Sequence, residues 1–335
     1  MGEFDLIERY FKAPARAMRA TDAVESNKIA LGIGDDCALL QPATGMQLAI
    51  SSDMLVEGRH FFADVDPFTL GHKALAVNLS DLAACGAKPL AFTLALALPQ
   101  ADEAWLAPFS RGLLALAAEH NCALIGGDTT QGPLNICITV FGEVTKLQAL
   151  LRSGAKAGDD IYVSGTLGDA RLALEAMRGN LALSSEALIT AKARLETPTP
   201  RIALGMALRG IASSAIDVSD GLLGDLGHIL QQSQVGAVID TSIAMYLIAT
   251  KAMNTTINSQ FTPQKQLQYV LSGGDDYELA FTAPVSQRSA VQAAALASNT
   301  PVTRIGQIQA ELGLRLIDAQ GQSVSNIYGS FDHFS

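Results

Sequence analysis

Short apolar runs alternate along the chain with longer segments in which apolar residues recur every three or four positions. The first pattern predicts β-strands and the second predicts amphipathic helices. The predicted strands cover residues 46–51, 91–98, 134–144, 160–165, 236–240, 277–283 and 302–308. The predicted helices cover residues 69–84, 103–120, 169–178, 201–210, 221–232 and 285–298. These elements predict a chain of the α+β class.

The helix predicted over residues 103–120 shows its buried face most clearly. Its apolar residues recur at the three- and four-residue spacing of one helix face. They are Trp105, Leu106, Phe109, Leu113, Leu116 and Ala117. We interpret this stripe as core.

The chain length and one turn-rich segment predict two domains. At roughly 150 residues per domain, 335 residues correspond to about two domains. The segment RSGAKAGDD (152–160) separates two strand patterns. We therefore expect an N-terminal domain over residues 1–150 and a C-terminal domain over residues 151–335.

Two segments echo each other across that boundary. Residues 73–87 and 213–227 both run from an apolar stretch through Ser-Asp into a helical pattern with small residues. The match is short, but it is consistent with two domains built on one plan, each contributing a Ser-Asp turn.

Composition and charge exclude several classes of protein. The chain has 33 Asp and Glu against 23 Lys and Arg, a formal net charge of −10, and it lacks the basic stripe that duplex binding requires. Apolar stretches such as residues 91–99 are too short to span a bilayer. The acidic start MGEFDLIERYF is unlike a secretory or transit signal, and the four cysteines form no CxxC pair. We expect a cytoplasmic enzyme with no nucleic-acid or membrane partner.

Aspartates recur after apolar segments, preceded by Gly or Ser, and the same ending of two small residues and Asp is predicted to close many strands. A turn or helix cap explains any one of them, but the repetition favours a cluster that collects Mg²⁺, which binds carboxylates together with phosphates and water. The dispersed histidines argue against zinc, and no segment resembles a calcium-binding loop. The aspartate segments are LGIGDDCALL (31–40), LAISSDML (48–55), AVNLSDLA (76–83), LIGGDTT (124–130), AIDVSDGL (215–222) and VLSGGDDYEL (270–279).

An acidic, magnesium-collecting site indicates a polyphosphate substrate. The sequence contains no GxxxxGK[ST], no GxGxxG after a strand, and no HRD or DFG motif. If ATP is the substrate, its phosphates must be held mainly through metal ions, with help from glycine-turn amides and a few arginines.

Six motifs, in this order over nearly the whole chain, resemble those of the thiamine-monophosphate kinase family. They are GIGDDCALL, NLSDLAACGA, GGDTTQGP, RSGAKAGD, IDVSDGL and SGGDDYEL. This family belongs to the aminoimidazole ribonucleotide synthetase-like superfamily. The resemblance implies two α/β-layered domains and a homodimer joined through the N-terminal sheets. The N-terminal domain would bind metal and ATP, and the C-terminal domain would complete the nucleotide and substrate site.

The resemblance also implies a role for individual residues, with ATP as co-substrate, thiamine monophosphate as acceptor and several Mg²⁺ ions per site. The implied metal ligands are Asp36, Ser51, Ser52, Asp53, Asp81, Asp128, Asp217 and Asp220. The implied ATP contacts are Gly127, Asp128, Arg152 and Ser219. The implied substrate contacts are His60, Asp275 and Phe331.

Three of these positions depart from the family pattern. Ser52 stands where Thr is common, Asp275 replaces a frequent Glu, and Phe331 stands where Tyr or Trp is frequent. These changes bear on substrate affinity more than on the reaction.

The expected chemistry is direct in-line phosphoryl transfer without a general base or a phosphoenzyme. At pH 7 a phosphate monoester is already a nucleophilic anion, and the sequence shows no positioned Cys/His or Ser/His pair. Two alternatives stay open: another ATP-dependent enzyme of the superfamily, and a catalytically silent nucleotide-binding regulator. Within the superfamily, selenophosphate synthesis would need an N-terminal cysteine and hydrogenase maturation a C-terminal one. Closure of a purine ring is excluded only by motif details.

Overall fold

The computed structural model describes residues 2–19, 28–249 and 261–329. Its first part begins with helical turns and then forms a four-stranded sheet with two long helices. The elements are α1 (Glu3–Ile7), a π-helical turn (Glu8–Lys12), α2 (Ala13–Arg19), β1 (Ile29–Leu31), β2 (Leu39–Leu40), β3 (Met46–Val56), α3 (Pro67–Ala84), β4 (Lys88–Leu98), α4 (Glu103–Glu119), β5 (Ala123–Gln131) and β6 (Asn135–Thr145).

The four-stranded sheet has the order β3-β6-β4-β5. Strand β6 is antiparallel to both β3 and β4, whereas β4 and β5 are parallel. The pairing of β3 with β6 runs without a bulge from Met46 to Val56. Because side chains alternate between the two faces of a strand, this regular register fixes which residues share a face.

Helices α3 and α4 pack tightly against each other through two glycines. A β-carbon on Gly71 would lie 2.1 Å from the Phe109 carbonyl oxygen, and one on Gly112 would lie 1.9 Å from that of Phe68. No side chain fits at either position, so the two backbones approach closely. The helices cover one face of the sheet, where Ile136 and Ile138 are fully buried.

The second part of the chain forms a seven-stranded mixed sheet with the order β13-β12-β9-β11-β7-β10-β8. Its elements are β7 (Asp160–Ser164), α5 (Asp169–Met177), α6 (Ser185–Glu196), α7 (Ile202–Ala207), β8 (Ser214–Val218), α8 (Leu222–Ser233), β9 (Gly236–Asp240), α9 (Thr241–Ala244), α10 (Pro263–Ser272), β10 (Glu278–Ala283), a 3-10 turn (Val285–Gln287), α11 (Arg288–Ala297), β11 (Val302–Gln309), β12 (Gly313–Ile317) and β13 (Ser323–Val324). Its core contains aliphatic side chains of β7, β8, α5 and α8, together with residues of α6, α10, β9 and β11.

The chain divides into two compact units. One contains the described residues of Met1–Leu82 and Ala87–Leu147, and the other those of Ala83–Gly86 and Gln148–Ser335. Within the described part of the chain, no helix combines the length and apolar character needed to cross a membrane.

The predicted α+β class is confirmed, as are all thirteen predicted elements, most of them with shifted ends. The apolar stripe of α4 is confirmed as well, because five of its six members are buried. The pattern did not predict β5, β8 or α6. The proposed echo is wrong as a structural repeat: residues 73–87 lie mainly within α3, whereas residues 213–227 form β8 and the start of α8.

Candidate functional site

The aspartates do not close strands as the sequence pattern predicted. Asp53 lies inside β3, Asp81 inside α3, Asp128 inside β5 and Asp217 inside β8. The prediction was wrong because a small residue before an aspartate is as compatible with close packing as with a turn. Asp36 and Asp220 do lie in loops.

Ser51, Asp53 and Asp81 come together on the helix-covered face of the four-stranded sheet. The Ser51 hydroxyl donates a hydrogen bond to a carboxylate oxygen of Asp81. The Asp53 amide donates to Oδ1 of Asn78, at 3.0 Å. Asn78 and Asp81 are one turn apart in α3, so this helix presents an amide and a carboxylate to β3 residues that are two positions apart. The Ser51 hydroxyl and the Asp81 carboxylate are thereby in contact, and Asp53 lies on the same face of β3.

Ser52 and Asp128 lie on the opposite, open face of the same sheet. The Ser52 hydroxyl is 3.0 Å from Oγ1 of Thr139, which is its register partner in β6. Asp128 pairs with Ala95 in β4, and both residues are exposed. Because side chains alternate along a strand, the Ser52 side chain lies on one face of the sheet, and the side chains of Ser51 and Asp53 lie on the other.

Gly127 is required for the position of Asp128. Its φ is +149°, and a β-carbon there would lie 1.8 Å from the carbonyl oxygen of Leu94 in β4. Only glycine allows this contact. The implied ATP contacts Gly127 and Asp128 thus lie in a β-strand whose backbone packs closely against its neighbour.

The remaining predicted residues of this unit lie in loops. Nδ1 of His60 accepts a hydrogen bond from the Val56 amide at 3.0 Å, which closes the turn after β3. With Nδ1 acting as an acceptor, a neutral His60 carries its proton on Nε2. Asp36 is exposed, and its amide donates to Oδ1 of Asp35 at 2.9 Å. Beside this loop, Nζ of Lys12 lies 3.3 Å from where a β-carbon of Gly34 would stand.

In the second unit, the segment carrying Arg152 runs along the edge strand β8. The Ala215 amide donates to the Leu151 carbonyl at 2.9 Å. The segment is also held by Ser233, at the end of α8. Its hydroxyl accepts from the amides of Gly154 and Ala155, each at 3.1 Å. Arg152 itself is exposed.

Asp225 holds the turn that follows β8. The amides of Ser219 and Asp220 both donate to its Oδ2, each at 3.0 Å. Burial raises the pKa of Asp225 to about 7; the two amide hydrogen bonds and the positive charge of Arg152 act in the opposite direction. Arg152, Ser219 and Asp220 therefore surround one buried carboxyl group.

The SGGDDYEL motif buries its second aspartate completely, whereas the first, Asp275, is half-buried and accepts a hydrogen bond from the Tyr277 hydroxyl at 3.3 Å. Asp276 is fully buried, and both its oxygens accept from the Gly168 amide, at 2.9 and 3.0 Å. Burial raises the pKa of Asp276 well above its usual range. On either side of it, Asp275 and Tyr277 adopt positive φ values of 65° and 50°, and the Asp275 amide donates to the Ser219 carbonyl at 2.8 Å. Two residues in the left-handed region thus flank the buried Asp276.

The donor set suits a hard cation. Its members offer carboxylate and hydroxyl oxygens, the ligands that Mg²⁺ prefers. Over residues 2–19, 28–249 and 261–329, no group of three or more His, Cys, Asp or Glu side chains is close enough together to hold a metal ion. A cation that keeps several waters and binds through one or two carboxylates needs no such cage.

Sequence reasoning missed three residues that hold the predicted site residues in place. They are Asn78, Asp225 and Asp276. Asn78 had a usable signal, because it lies three residues before Asp81 in a segment that predicts a helix. The sequence around Asp225 and Asp276 does not show whether the carboxylate is a buried hydrogen-bond acceptor or a metal ligand. Phe331 lies outside the described residues.

Comparison with known proteins finds a matching domain family for each of the two units. Residues 34–144 match the family model of the AIR synthase related protein, N-terminal domain, and residues 156–319 match that of its C-terminal domain. The thiamine-monophosphate kinase of Escherichia coli strain K12 is 45% identical over 338 residues, covering 100% of this chain and 98% of that protein.

Two solved structures are similar over most of the chain. The thiamine-monophosphate kinase of Stenotrophomonas maltophilia K279a matches with a TM-score of 0.84 and 44% identity, covering 95% of this chain and 98% of that one. AaThiL, solved in complex with AMPPCP and TMP, matches with a TM-score of 0.74 and 27% identity, covering 88% of this chain and 89% of that one. With two domains of the AIR synthase related type and this likeness over its full length, the chain belongs to the thiamine-monophosphate kinase family.

Proposed function

We propose that the protein transfers the γ-phosphoryl group of ATP to thiamine monophosphate, giving thiamine diphosphate and ADP, as a homodimer in the cytoplasm. The observation that carries this proposal is the likeness to AaThiL, which was solved with an ATP analogue and TMP together. A complex that holds both a nucleotide and a phosphate ester fits a kinase whose acceptor is itself a phosphate.

The transfer is direct and in line. An oxygen of the acceptor phosphate forms a bond to the γ-phosphorus while the bond to the β,γ-bridging oxygen breaks, and that oxygen leaves with the electron pair as part of ADP. The acceptor is already an anion at pH 7, because the second pKa of a phosphate monoester is about 6. No residue has to remove a proton, and the main difficulty is the approach of two polyanions.

Oxygen-bearing residues would help the two polyanions to approach by binding metal ions. Asp36, Ser51, Asp53, Asp81, Asp217 and Asp220 would hold several Mg²⁺ ions, and a bound Mg²⁺ neutralises phosphate charge and orients the reacting groups. Arg152 would bind phosphate oxygens, and Ser219 would contact the nucleotide. His60, with its Nε2 proton, Asp275 and Phe331 would contact the acceptor.

Ser52 and Asp128 would also bind Mg²⁺, and Gly127 and Asp128 would contact ATP, from the other face of the sheet. Ser52 and Asp128 lie on the open face of the four-stranded sheet, away from Ser51 and Asp53. That face is the one we propose to be covered by a second copy of the chain. Ser52 and Asp128 would then act close to the subunit boundary.

The reaction is tested by following ADP release with Mg-ATP and one candidate acceptor at a time, with chromatography of the products. The acceptors are thiamine monophosphate, thiamine and formylglycinamidine ribonucleotide. We expect thiamine diphosphate from the monophosphate alone. ADP release with the purine precursor alone would favour ring closure over kinase activity, and silence with all three would favour a regulator.

The homodimer is tested by a single charge on the open face. Ile50 is 60% exposed, and its neighbours Leu48 and Met54 in β3 are also exposed apolar residues. Such a patch on a sheet is typical of a surface that another chain covers. Ile50→Asp is expected to shift the mass measured by light scattering from about twice the chain mass of 35.1 kDa to that of one chain.

The matched control is Ile189→Asp in α6. Ile189 is 70% exposed, so the same substitution adds the same charge to another surface, and the dimer should persist. If the wild type is a monomer, or if Ile50→Asp stays dimeric, the open face is not the subunit interface.

A further inference from the structure

The turn between β8 and α8 is held from the helix side by one side chain. The amides of Ser219 and Asp220 both donate to the same oxygen of Asp225, at 3.0 Å each. Asp225 lies in the first turns of α8, and only 4% of its surface is exposed. Its buried position and its two partners fix the carboxylate in one orientation.

This arrangement changes what the turn offers to a ligand. Amides at the start of a helix ordinarily bind anions such as phosphate. Here the protein's own carboxylate takes two of them, and the Asp275 amide takes the Ser219 carbonyl. The polar groups that remain for a ligand include the Ser219 hydroxyl and the Asp220 carboxylate. Both are oxygens, which suit a metal-bearing phosphate better than a bare one.

The other contacts of the turn are made by the backbone. The Tyr277 amide donates to the Val218 carbonyl at 2.8 Å. A β-carbon on Gly221 would lie 2.9 Å from the Ser272 carbonyl carbon, which places the two backbones against each other. These backbone contacts do not involve the Asp225 side chain, so they persist when Asp225 is substituted. A substitution of Asp225 therefore removes its two hydrogen bonds while the rest of the turn is retained.

We infer that Asp225 is a positioning residue, which orients Ser219 and Asp220 so that the turn binds the nucleotide with its metal ions rather than a bare phosphate. This inference rests on the proposed function, because that function assigns Ser219 and Asp220 to ATP and its metal. Asp225 itself touches neither; it acts through the two amides.

The test is calorimetric binding of Mg-ATP to the full chain, without acceptor. Asp225→Ala leaves both amides without their acceptor and is expected to weaken Mg-ATP binding about tenfold, equal to about 1.4 kcal/mol. Asp225→Asn keeps an oxygen acceptor and is expected to restore binding to within about threefold of the wild type. In turnover assays the KM for thiamine monophosphate should change less than twofold in either variant.

Asp240→Ala is the matched control. Asp240 is also a carboxylate whose Oδ1 accepts from two amides, those of Ser242 at 2.9 Å and Ile243 at 3.3 Å. It caps α9 and lies outside the turn between β8 and α8. Its loss should lower the thermal midpoint of unfolding and leave Mg-ATP binding unchanged. A general loss of stability is thereby separated from a loss of positioning.

Three outcomes would overturn the inference. Asp225→Ala could bind Mg-ATP like the wild type, it could raise both KM values equally, or Asp240→Ala could weaken Mg-ATP binding just as much. If Asp225→Ala does not fold, Asp225→Glu serves instead, because it keeps the charge but displaces the acceptor oxygen by one methylene; unchanged binding would then contradict the inference. Failure of the proposed function is seen separately, as wild-type Mg-ATP binding without phosphorylation of thiamine monophosphate.

Discussion

Replacing Asp81 by asparagine is expected to lower kcat at least about a thousandfold, which corresponds to about 4 kcal/mol of transition-state stabilisation. Asp81 is the residue where α3 meets β3, and it accepts the hydroxyl of Ser51. Asparagine has the same size, and its amide oxygen can accept that hydrogen bond, but it carries no charge. The variant therefore loses one anionic ligand for Mg²⁺. A bound Mg²⁺ ion stabilises the charge of the phosphoryl-transfer transition state by several kcal/mol.

The fold should survive this change. Asp81 is half-buried and contributes little apolar packing, so the thermal midpoint should stay within about 2 °C of the wild type. The control is Asp66→Asn, the same substitution at the start of the same helix. Oδ1 of Asp66 accepts from the Phe68 amide at 2.9 Å, which asparagine can also do. Wild-type turnover in Asp81→Asn, or an equal loss in Asp66→Asn, would refute the metal assignment.

The elements that periodicity predicted are those whose apolar residues face a core. Strand β9 is predicted to the residue over 236–240, and the stripe of α4 is buried as expected. The missed strand β5 contains Gly126, Gly127 and Asp128, which are typical of a turn. It is nevertheless a strand, because Gly127 lets its backbone pack closely against β4. The sequence pattern alone does not distinguish a Gly-Gly-Asp turn from a Gly-Gly-Asp strand, because the strand forms only where a neighbouring strand packs against the glycine backbone.

The candidate site was predicted in its residue types and only partly in its arrangement. The run Ser51–Asp53 was interpreted as three ligands at a strand end, but β3 continues to Val56 and alternation divides the run between two faces. Asp275 and Asp276 are identical in sequence terms, yet only Asp276 is buried completely. Their difference comes from the Gly168 amide, which lies 108 residues away in the chain.

The largest stability effect is expected at Glu278, the first residue of β10. It is fully buried, and its carboxylate accepts from Nη2 of Arg194 at 2.6 Å, from Nε of Arg201 at 2.6 Å and from the Ser164 hydroxyl at 2.5 Å. Neither arginine is more than 17% exposed. Gly165 makes room for the group, because a β-carbon there would lie 2.1 Å from Oε1 of Glu278.

Glu278→Ala leaves two largely buried guanidinium groups without their shared carboxylate. Breaking a buried ion pair in this way costs about 3–5 kcal/mol, which for a unit of this size corresponds to a fall of roughly 6 to 20 °C in the thermal midpoint. The control is Glu311→Ala. Glu311 also pairs with an arginine, Arg315 at 2.6 Å, but is 83% exposed, so its loss should cost less than about 1 kcal/mol.

A triple replacement separates the cost of the unpaired charges from the value of the network itself. Methionine at positions 278, 194 and 201 removes the carboxylate and both guanidinium groups while keeping side chains of similar length. Because buried ion pairs can be replaced by apolar groups at little cost, the triple variant should be more stable than Glu278→Ala alone. If Glu278→Ala costs no more than Glu311→Ala, the arginines are well solvated without their partner. If the triple variant is less stable than the single one, the network itself stabilises this unit beyond relieving unpaired charge.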